Sequence, residues 1–256
     1  RWMNRKKITN KAPPLFKTIF LSPFLLILLK ASSANAIELE AYDYAQTAVS
    51  ATGLGYSLLF IDSPPKPKWE GGIAWDDSVR NTLKYETKEN RETANSISDY
   101  FLGTSLAVPT ILALFTEDRW ERGLVVANAI LTQAFLNNVT KKAIARERPF
   151  VRGCKKDKKY GDCRSETRNE SFYSGHSALS STGAGILCAQ EFDGWCVIGG
   201  AISLTTGYLR IAADKHYFSD VLTGFAMGAL VGYLLPKIEH NDLDEREFEV
   251  SVSLSF

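Results

Sequence analysis

The chain has little of several things that whole classes of protein need. Its 256 residues include only three histidines, and its four cysteines form no Cys-x-x-Cys pair and no Cys/His zinc pattern. A bound metal ion is therefore not expected. Lys plus Arg (30) barely exceed Asp plus Glu (29), whereas a nucleic-acid-binding protein usually carries a basic excess. We expect no metal, no cofactor and no nucleic-acid partner.

The N-terminus also lacks an apolar run of the roughly 20 residues that cross a bilayer. Its run, Ile19 to Leu29, has eleven residues and follows a basic segment without acidic residues. Ala34-Asn35-Ala36 then gives the small-x-small pattern of a cleavage site. We predict a signal peptide over residues 1–36. An uncleaved anchor helix is the alternative.

Four cysteines in an exported chain predict disulfides, for which three pairings are possible. The local pairing joins Cys154 to Cys163 and Cys188 to Cys196, and it closes two short loops.

The rest of the chain predicts a mostly α-helical protein. Prolines are expected to kink one helix at Pro109 and to close the last helix at Pro236. The final nine residues alternate between polar and apolar, which predicts a β-strand. Helices are expected at about 44–61, 96–115, 124–145, 176–190, 196–212 and 217–236, with a long charged loop over 150–173. The predicted divisions are an N-terminal helix with a polar connecting segment (37–95), a principal helical domain (96–236) and an acidic tail ending in the strand (237–256).

Side chains suited to phosphate chemistry form three clusters in the second half of the chain. In the first, Lys141 and Arg148 are seven residues apart, nearly two helical turns, so both can face one side just before Pro149. A basic helix end also occurs without a function, because cations are favourable at a helix C-terminus.

The second cluster, Ser174-Gly175-His176, precedes a predicted helix. A glycine there lets backbone N–H groups approach an anion, and the helix N-terminus adds partial positive charge. His176 could donate a proton to a leaving oxygen. Taken alone, the triplet also fits an ordinary surface loop.

The third cluster contains Arg210, His216 and Asp220. The i, i+4 spacing of the last two places the carboxylate beside the imidazole on a helix. An aspartate bonded to one ring nitrogen would fix the tautomer and leave the other nitrogen free to attack. Arg210 offers a planar guanidinium that matches phosphate oxygens. A surface ion pair would explain this cluster if it stood alone.

In order and spacing, the three clusters resemble the type-2 phosphatidic acid phosphatase superfamily, which includes bacterial acid phosphatases, lipid phosphatases and vanadium haloperoxidases. The family pattern is K-x6-RP, PSGH and SR-x5-H-x3-D. It is matched here by Lys141, Arg148, Pro149, Ser174, Gly175, His176, Arg210, His216 and Asp220.

Two positions depart from the family pattern. Tyr173 stands where the family has Pro, and Leu209 stands where it has Ser. Neither removes a charged group or a histidine. We expect Tyr173 to change the rigidity of its loop or to place a hydroxyl at the rim of the site. Leu209 puts one hydroxyl contact to the phosphate in doubt.

The resemblance implies an all-α bundle of about six helices and a metal-independent phosphatase acting on phosphomonoesters, including lipid phosphates or pyrophosphates. It implies that His216 attacks phosphorus and forms a phosphohistidine, that Asp220 orients it, and that His176 protonates the leaving alkoxide. The implied phosphate-binding groups are Lys141, Arg148, Ser174, Gly175 and Arg210.

We expect a periplasmic protein, soluble or lying on a membrane surface. The helix over 176–190 is short for a bilayer and rich in small residues. Two local disulfides at opposite ends of the bundle would place both ends in an oxidising compartment. The basic segment 139–170, with eleven Lys/Arg and five acidic residues, would attract anionic substrates. A membrane-spanning bundle with a periplasm-facing site is the alternative; the sequence does not indicate an oligomeric state.

Two other functions would use the same residues. A vanadate-dependent haloperoxidase shares the anion site, but such enzymes are usually much longer. A non-catalytic envelope protein that binds phosphate or lipid headgroups would need only the cations. The presence of both histidines and Asp220 therefore favours an enzyme.

Overall fold

The computed structural model describes residues 39–116, 119–161, 163–190 and 193–239. In these ranges the chain forms eight α-helices and one 3-10 turn, and six of the helices have fifteen residues or more. This confirms the predicted all-α bundle of about six helices. The predicted signal peptide and terminal strand lie outside the described residues. The helices are α1 (Leu39–Phe60), α2 (Asp76–Leu83), α3 (Lys88–Leu114), α4 (Arg119–Ile144), α5 (Phe150–Lys156), α6 (Gly175–Ala189), α7 (Asp193–Ala212) and α8 (Phe218–Glu239), with the 3-10 turn at Glu166–Asn169.

Several details differ from the sequence prediction. Helix α2 lies in the predicted polar connecting segment, and α1 and α4 each begin five residues before the predicted start. Helix α3 begins eight residues early because Thr87 caps it: its hydroxyl accepts a hydrogen bond from the N–H of Asn90. The predicted loop over 150–173 contains α5 and the 3-10 turn. Pro236 does not close the last helix; α8 continues to Glu239, and burial of Leu235 in the core holds this turn in place. Pro109 lies inside α3, as expected.

Helix α6 lies at the centre of the bundle. It packs against α3, α4, α7 and α8, most extensively against α8, and nearly all of its residues are buried. Its richness in small residues therefore reflects this central position. The composition of α6 consequently gives no argument about contact with lipid, contrary to our sequence-based interpretation.

The contact between α6 and α8 is made by backbone. A Cβ added at Gly228 would lie 2.0 Å from the carbonyl oxygen of Ala178, and one added at Gly232 would lie 2.2 Å from that of Thr182. Only glycine allows this approach. Because α6 begins beside His176 and α8 begins beside Asp220, this glycine seam sets the distance between the second and third motifs.

Apolar side chains also cover the outside of the bundle. Helix α3 and the α8 segment Phe218–Ile238 are long and apolar enough to cross a membrane, judged by length and composition in the described part of the chain. Large side chains on α3 and α7 face outwards, among them Tyr100, Val197 and Leu204. The internal core of the bundle includes Ala113, Val126, Ala129, Leu136, Ile186, Val231 and Leu235.

Candidate active site

The three motifs meet at one end of the bundle, where the C-termini of α4 and α7 face the N-termini of α6 and α8. The Nζ atom of Lys141 would lie 2.9 Å from a Cβ added at Gly175, so this glycine makes room for the ammonium group. The N–H of Ser174 donates to the carbonyl of Asp220 at 3.0 Å. The structure thereby brings together all the predicted site residues: Lys141, Arg148, Ser174, Gly175, His176, Arg210, His216 and Asp220.

His216 is held by a backbone carbonyl. Its Nδ1 atom lies 2.8 Å from the carbonyl oxygen of Ser171, and 3.7 Å from Oδ2 of Asp220. The expected direct hydrogen bond to the carboxylate is therefore replaced by one to Ser171. With the proton on Nδ1, Nε2 is the ring atom that can act as a nucleophile.

Asp220 acts on His216 through Ser171. Its Oδ2 accepts hydrogen bonds from the hydroxyl of Ser171 at 2.6 Å and from the N–H of Tyr217 at 3.0 Å. Its Oδ1 accepts from the guanidinium of Arg146. The carboxylate therefore fixes the residue whose carbonyl orients the imidazole.

His176 has its own carboxylate partner. Its Nε2 lies 2.6 Å from Oδ1 of Asp99 on α3, whose side chain is 56% exposed. An imidazole between a buried cationic centre and an exposed carboxylate is suited to proton transfer. No motif in the sequence pointed to Asp99.

Three cations converge on this centre. Arg148 and Arg210 are almost fully buried. The Nε of Arg148 donates to the carbonyl of Thr167, and Nη1 of Arg210 donates to Oδ1 of Asn95 and the hydroxyl of Ser98. The Nε of Arg210 is buried without a hydrogen-bond partner among the described residues. These donors suit an anion with several oxygens.

The electrostatics of the cluster favour an anionic ligand. Burial, reinforced by the neighbouring charges of Arg148 and Arg210, lowers the pKa of Lys141 to about 7. Burial and Arg148 lower the pKa of Arg210 to about 9. Such shifts arise because the positive charges repel one another and because burial removes them from hydration by water. A phosphate group among them would relieve both effects.

The same field acts on the histidines. Burial, followed by the charges of Arg148 and Arg210, holds the pKa of His216 well below its usual value, so the ring is neutral and nucleophilic near neutral pH. Burial and Arg210 lower the pKa of His176 to about 3, while Asp99 acts in the opposite direction. In the protein alone, both rings are therefore neutral at pH 7.

Ser174 serves the local structure of the motif. Its hydroxyl oxygen is the N-cap of α6 and accepts from the N–H and the hydroxyl of Ser177. One N–H of the first turn is thereby satisfied, and the remaining N–H groups at the start of α6 are left to meet an anion.

The two departures from the family pattern are both buried. The hydroxyl of Tyr173 accepts from Nε2 of Gln133 at 2.9 Å, and the residue is 3% exposed. The residue anchors the loop to α4. The expectation that its hydroxyl would lie at the rim of the site is therefore wrong. Leu209 packs in an apolar cluster with Ala94 and Ala212.

Both disulfides have the local pairing, Cys154 with Cys163 and Cys188 with Cys196. The first lies at the end of the bundle that carries the site, and the second joins the far ends of α6 and α7. Within the first loop, the hydroxyl of Tyr160 donates to Oδ2 of Asp214 at 2.9 Å. This contact connects the loop to the turn that carries His216.

Comparison with known proteins finds one matching family model. The family model described as the PAP2 superfamily matches residues 122–244. A solved structure, the first transmembrane PAP2 type phosphatidylglycerolphosphate phosphatase from Bacillus subtilis, is similar over 90% of this chain and 98% of that chain, with 20% identity and a TM-score of 0.42; a likeness at this level carries no further argument. No curated protein matches the chain. Residues 122–244, which contain all three motifs, therefore match the PAP2 superfamily.

Proposed function

We propose that the chain is a metal-independent phosphatase that hydrolyses phosphomonoesters, among them lipid phosphates or pyrophosphates, through a phosphohistidine. One arrangement carries the proposal: His216 presents an unprotonated Nε2 to a centre made by three cations, and a second histidine, paired with a carboxylate, borders the same centre. The PAP2 family match supports phosphatase activity.

In the first step, Nε2 of His216 attacks phosphorus and the P–O bond to the leaving group breaks. His176 gives its proton to the departing alkoxide oxygen. Lys141, Arg148 and Arg210 neutralise the charge on the equatorial oxygens, which is normally the largest contribution to such a reaction. In the second step, His176 takes a proton from water, the hydroxide attacks phosphorus, and the N–P bond to His216 breaks.

Binding of the substrate favours protonation of His176. Burial, followed by the charge of Arg210, lowers the pKa of His176 in the protein alone. A phosphate ester brings negative charge into the centre and opposes the effect of Arg210. Asp99 then stabilises the imidazolium through the 2.6 Å contact. Protonation of the general acid is thereby coupled to binding of the anion.

The test is phosphate release by the full chain in EDTA, measured with p-nitrophenyl phosphate, phosphatidate and a prenyl pyrophosphate. We expect His216→Ala to abolish release from every substrate. His240→Ala, which removes the third histidine of the chain, is the matched control and should retain activity. Release by His216→Ala at the wild-type rate would overturn the mechanism, and no release by wild type from any substrate would favour a binding protein.

We infer that the site works in the cell envelope, on the non-cytoplasmic side. The two disulfides lie at opposite ends of the bundle, which fits an oxidising compartment at both ends. The apolar outer faces of α3 and α7 favour contact with a membrane, since exposed patches of this kind commonly mark such surfaces.

Carbonate extraction of cells producing the chain distinguishes the two locations left open by the sequence. Release into the soluble fraction indicates a periplasmic protein at the membrane surface. Retention in the membrane pellet indicates an integral protein. Thiol labelling before reduction tests the compartment, because Cys188 and Cys196 should be unreactive; labelled cysteines would contradict an oxidising environment.

A further inference from the structure

Arg146 is a buried charge that the three motifs do not account for. It has no exposed surface and is the largest side chain buried to this degree among the residues that the structure describes. Its guanidinium carbon lies 3.9 Å from the ring centroid of Trp69 and 4.2 Å from that of Tyr217. A cation held between two aromatic faces and away from water requires further compensation.

Two carboxylates provide that compensation. Nη2 of Arg146 donates to Oδ2 of Asp76 at 2.8 Å, and Nη1 donates to Asp220 and to the hydroxyl of Ser219 at 2.8 Å. Asp76 also accepts from both the N–H and the hydroxyl of Ser219, each at 2.7 Å. Arg146 thus joins the start of α2 to the start of α8.

The main chain of Arg146 holds the same unit from the other side. Its carbonyl accepts from the N–H of Ser171 at 2.9 Å. The hydroxyl of Ser171 donates to Asp220, and the carbonyl of Ser171 faces Nδ1 of His216. Arg146, Ser171 and Asp220 therefore form a closed ring of hydrogen bonds, from which the imidazole is held.

An arginine that only filled the core would not need this arrangement. Its side chain and its carbonyl bind the two residues that orient His216, and it has no contact with a reacting atom. Removing the guanidinium would leave Asp76 and Asp220 as buried carboxylates without their shared cation. Asp220 could then turn away from Ser171, or take a proton.

We propose that Arg146 is a positioning residue, which together with Trp69 and Asp76 holds the carbonyl of Ser171 so that the proton of His216 stays on Nδ1. The inference rests on the proposed function of His216 as the nucleophile. It also makes the segment 69–76, which precedes the family match at 122–244, part of the active site.

The tautomer of His216 can be measured without any substrate. The chain has three histidines, so its ¹⁵N-histidine spectrum contains three ring systems, which His176→Ala and His216→Ala assign. In the wild type we expect His216 with a protonated Nδ1 and a bare Nε2. In Arg146→Gln we expect both tautomers, and a fall in kcat of about 100-fold with KM nearly unchanged, since mis-set orientation of a functional imidazole costs about 10–10⁴-fold.

Two conservative variants separate positioning from folding. Arg146→Lys keeps the charge but cannot bridge both carboxylates, so it should give an intermediate kcat and a mostly Nδ1-protonated ring. Asp76→Asn should mix the tautomers while the guanidinium remains. Arg152→Gln is the matched control: Arg152 pairs with Asp77 at the surface, and its loss should change neither readout.

The outcomes distinguish this inference from the proposed function. A wild-type His216 protonated on Nε2 would overturn the inference. It would also be overturned if the wild-type tautomer and kcat were kept in all three variants, Arg146→Gln, Arg146→Lys and Asp76→Asn. If Arg146→Gln does not fold, the two conservative variants decide by the same criteria. The wild type could release no phosphate while the tautomer of His216 still changes in Arg146→Gln. That result would uphold the positioning role and reject the phosphatase.

Discussion

Nε2 of His176 and Oδ1 of Asp99 lie 2.6 Å apart, although the two residues are 77 positions apart in the chain. Asp99 belongs to α3 and is half exposed, whereas Arg148 and Arg210 on the other side of His176 are buried. The imidazole therefore stands between an open, negative side and a closed, positive centre. This polarity suits a group that gives a proton to the leaving oxygen and then takes one from water.

Asp99→Asn should weaken the general acid selectively. Without the carboxylate the imidazolium of His176 is less stable, and general acid catalysis is typically worth about 10²–10⁴-fold. We expect kcat to fall at least about 10-fold for an alkyl phosphate, whose poor leaving group needs the proton. Hydrolysis of p-nitrophenyl phosphate should change little.

The matched control for this prediction is Glu92→Gln, which removes another carboxylate of α3 that pairs with Lys88. It should leave both substrates unaffected. An equal loss on both substrates in Asp99→Asn would show that Asp99 supports the structure and does not assist proton transfer.

Binding of anions should weaken as the pH rises through about 7. The pKa of Lys141 is lowered to about 7, so its charge is present below this pH and is lost above it. Sulfate is a suitable probe because its own charge is constant in this range. We expect its inhibition constant to rise more steeply above pH 7, where loss of the Lys141 charge adds up to about tenfold per unit. Below pH 7 the slope should be shallower, because only the proton that His176 takes up with the anion contributes there.

In Lys141→Met the additional rise above pH 7 should disappear, and sulfate should bind weakly at every pH. His216, whose pKa is held well below its usual value, should not contribute between pH 6 and 9. A sulfate affinity that is constant from pH 6 to 9 in the wild type would contradict the role of Lys141.

The cluster of cations should make the protein less stable until an anion binds. Phosphate or vanadate at about 100 times its dissociation constant should stabilise the fold by about 2.7 kcal/mol. Lys141→Met should raise Tm in the absence of anion, by a few degrees if the gain is about 1 kcal/mol. It should also reduce the effect of phosphate on Tm.

Lys142→Met is the matched control, because this lysine lies next in the chain but donates to the carbonyls of Ser57 and Ile61. Its loss should lower Tm and leave the effect of phosphate intact. The same rise in Tm for both variants would show that the effect belongs to the helix and not to the site.

The two disulfides should differ in their effect on activity. Each closes a loop of about ten residues, so replacing either pair with serine should cost about 2–3 kcal/mol of stability. Only the pair Cys154 and Cys163 holds the loop whose Tyr160 bonds to Asp214, two residues before His216. Its replacement should lower kcat, whereas replacement of Cys188 and Cys196 should lower Tm alone.

Tyr160→Phe tests the route of this effect, because it removes the hydroxyl and keeps the disulfide. It should reproduce part of the loss in kcat. Equal kcat values for both disulfide variants, measured well below their melting temperatures, would refute the connection.

The resemblance to the family, carried by the order and spacing of the three motifs, was enough to indicate which charged residues share the site. It could not indicate the partners of those residues. Asp99 and Arg146 meet His176 and Asp220 across 77 and 74 positions, and neither residue belongs to a periodic pattern. Such contacts depend on how the helices pack, which hydrophobic periodicity does not specify.

Helix positions were predictable from apolar periodicity, whereas exact ends were not. The last turn of α8 continues past Pro236 because Leu235 is buried, a tertiary effect. Helix α5 was missed because its seven residues are mostly basic or small and show no apolar face. His216 bonds to Ser171 and not to Asp220 because the carboxylate lies about an ångström too far from the ring nitrogen for a hydrogen bond. Residue spacing cannot predict a difference of this size.

The glycine seam between α6 and α8 has a consequence for genetics. Gly232 lies twelve residues after Asp220, yet a single methyl group there would push against the backbone of α6 at Thr182. Such a substitution would alter the separation of the two histidines without touching either. A random screen for inactive alleles should therefore recover changes at Gly228 and Gly232 as well as at the proposed catalytic groups, and distance from the site would be a poor guide to harmless variation.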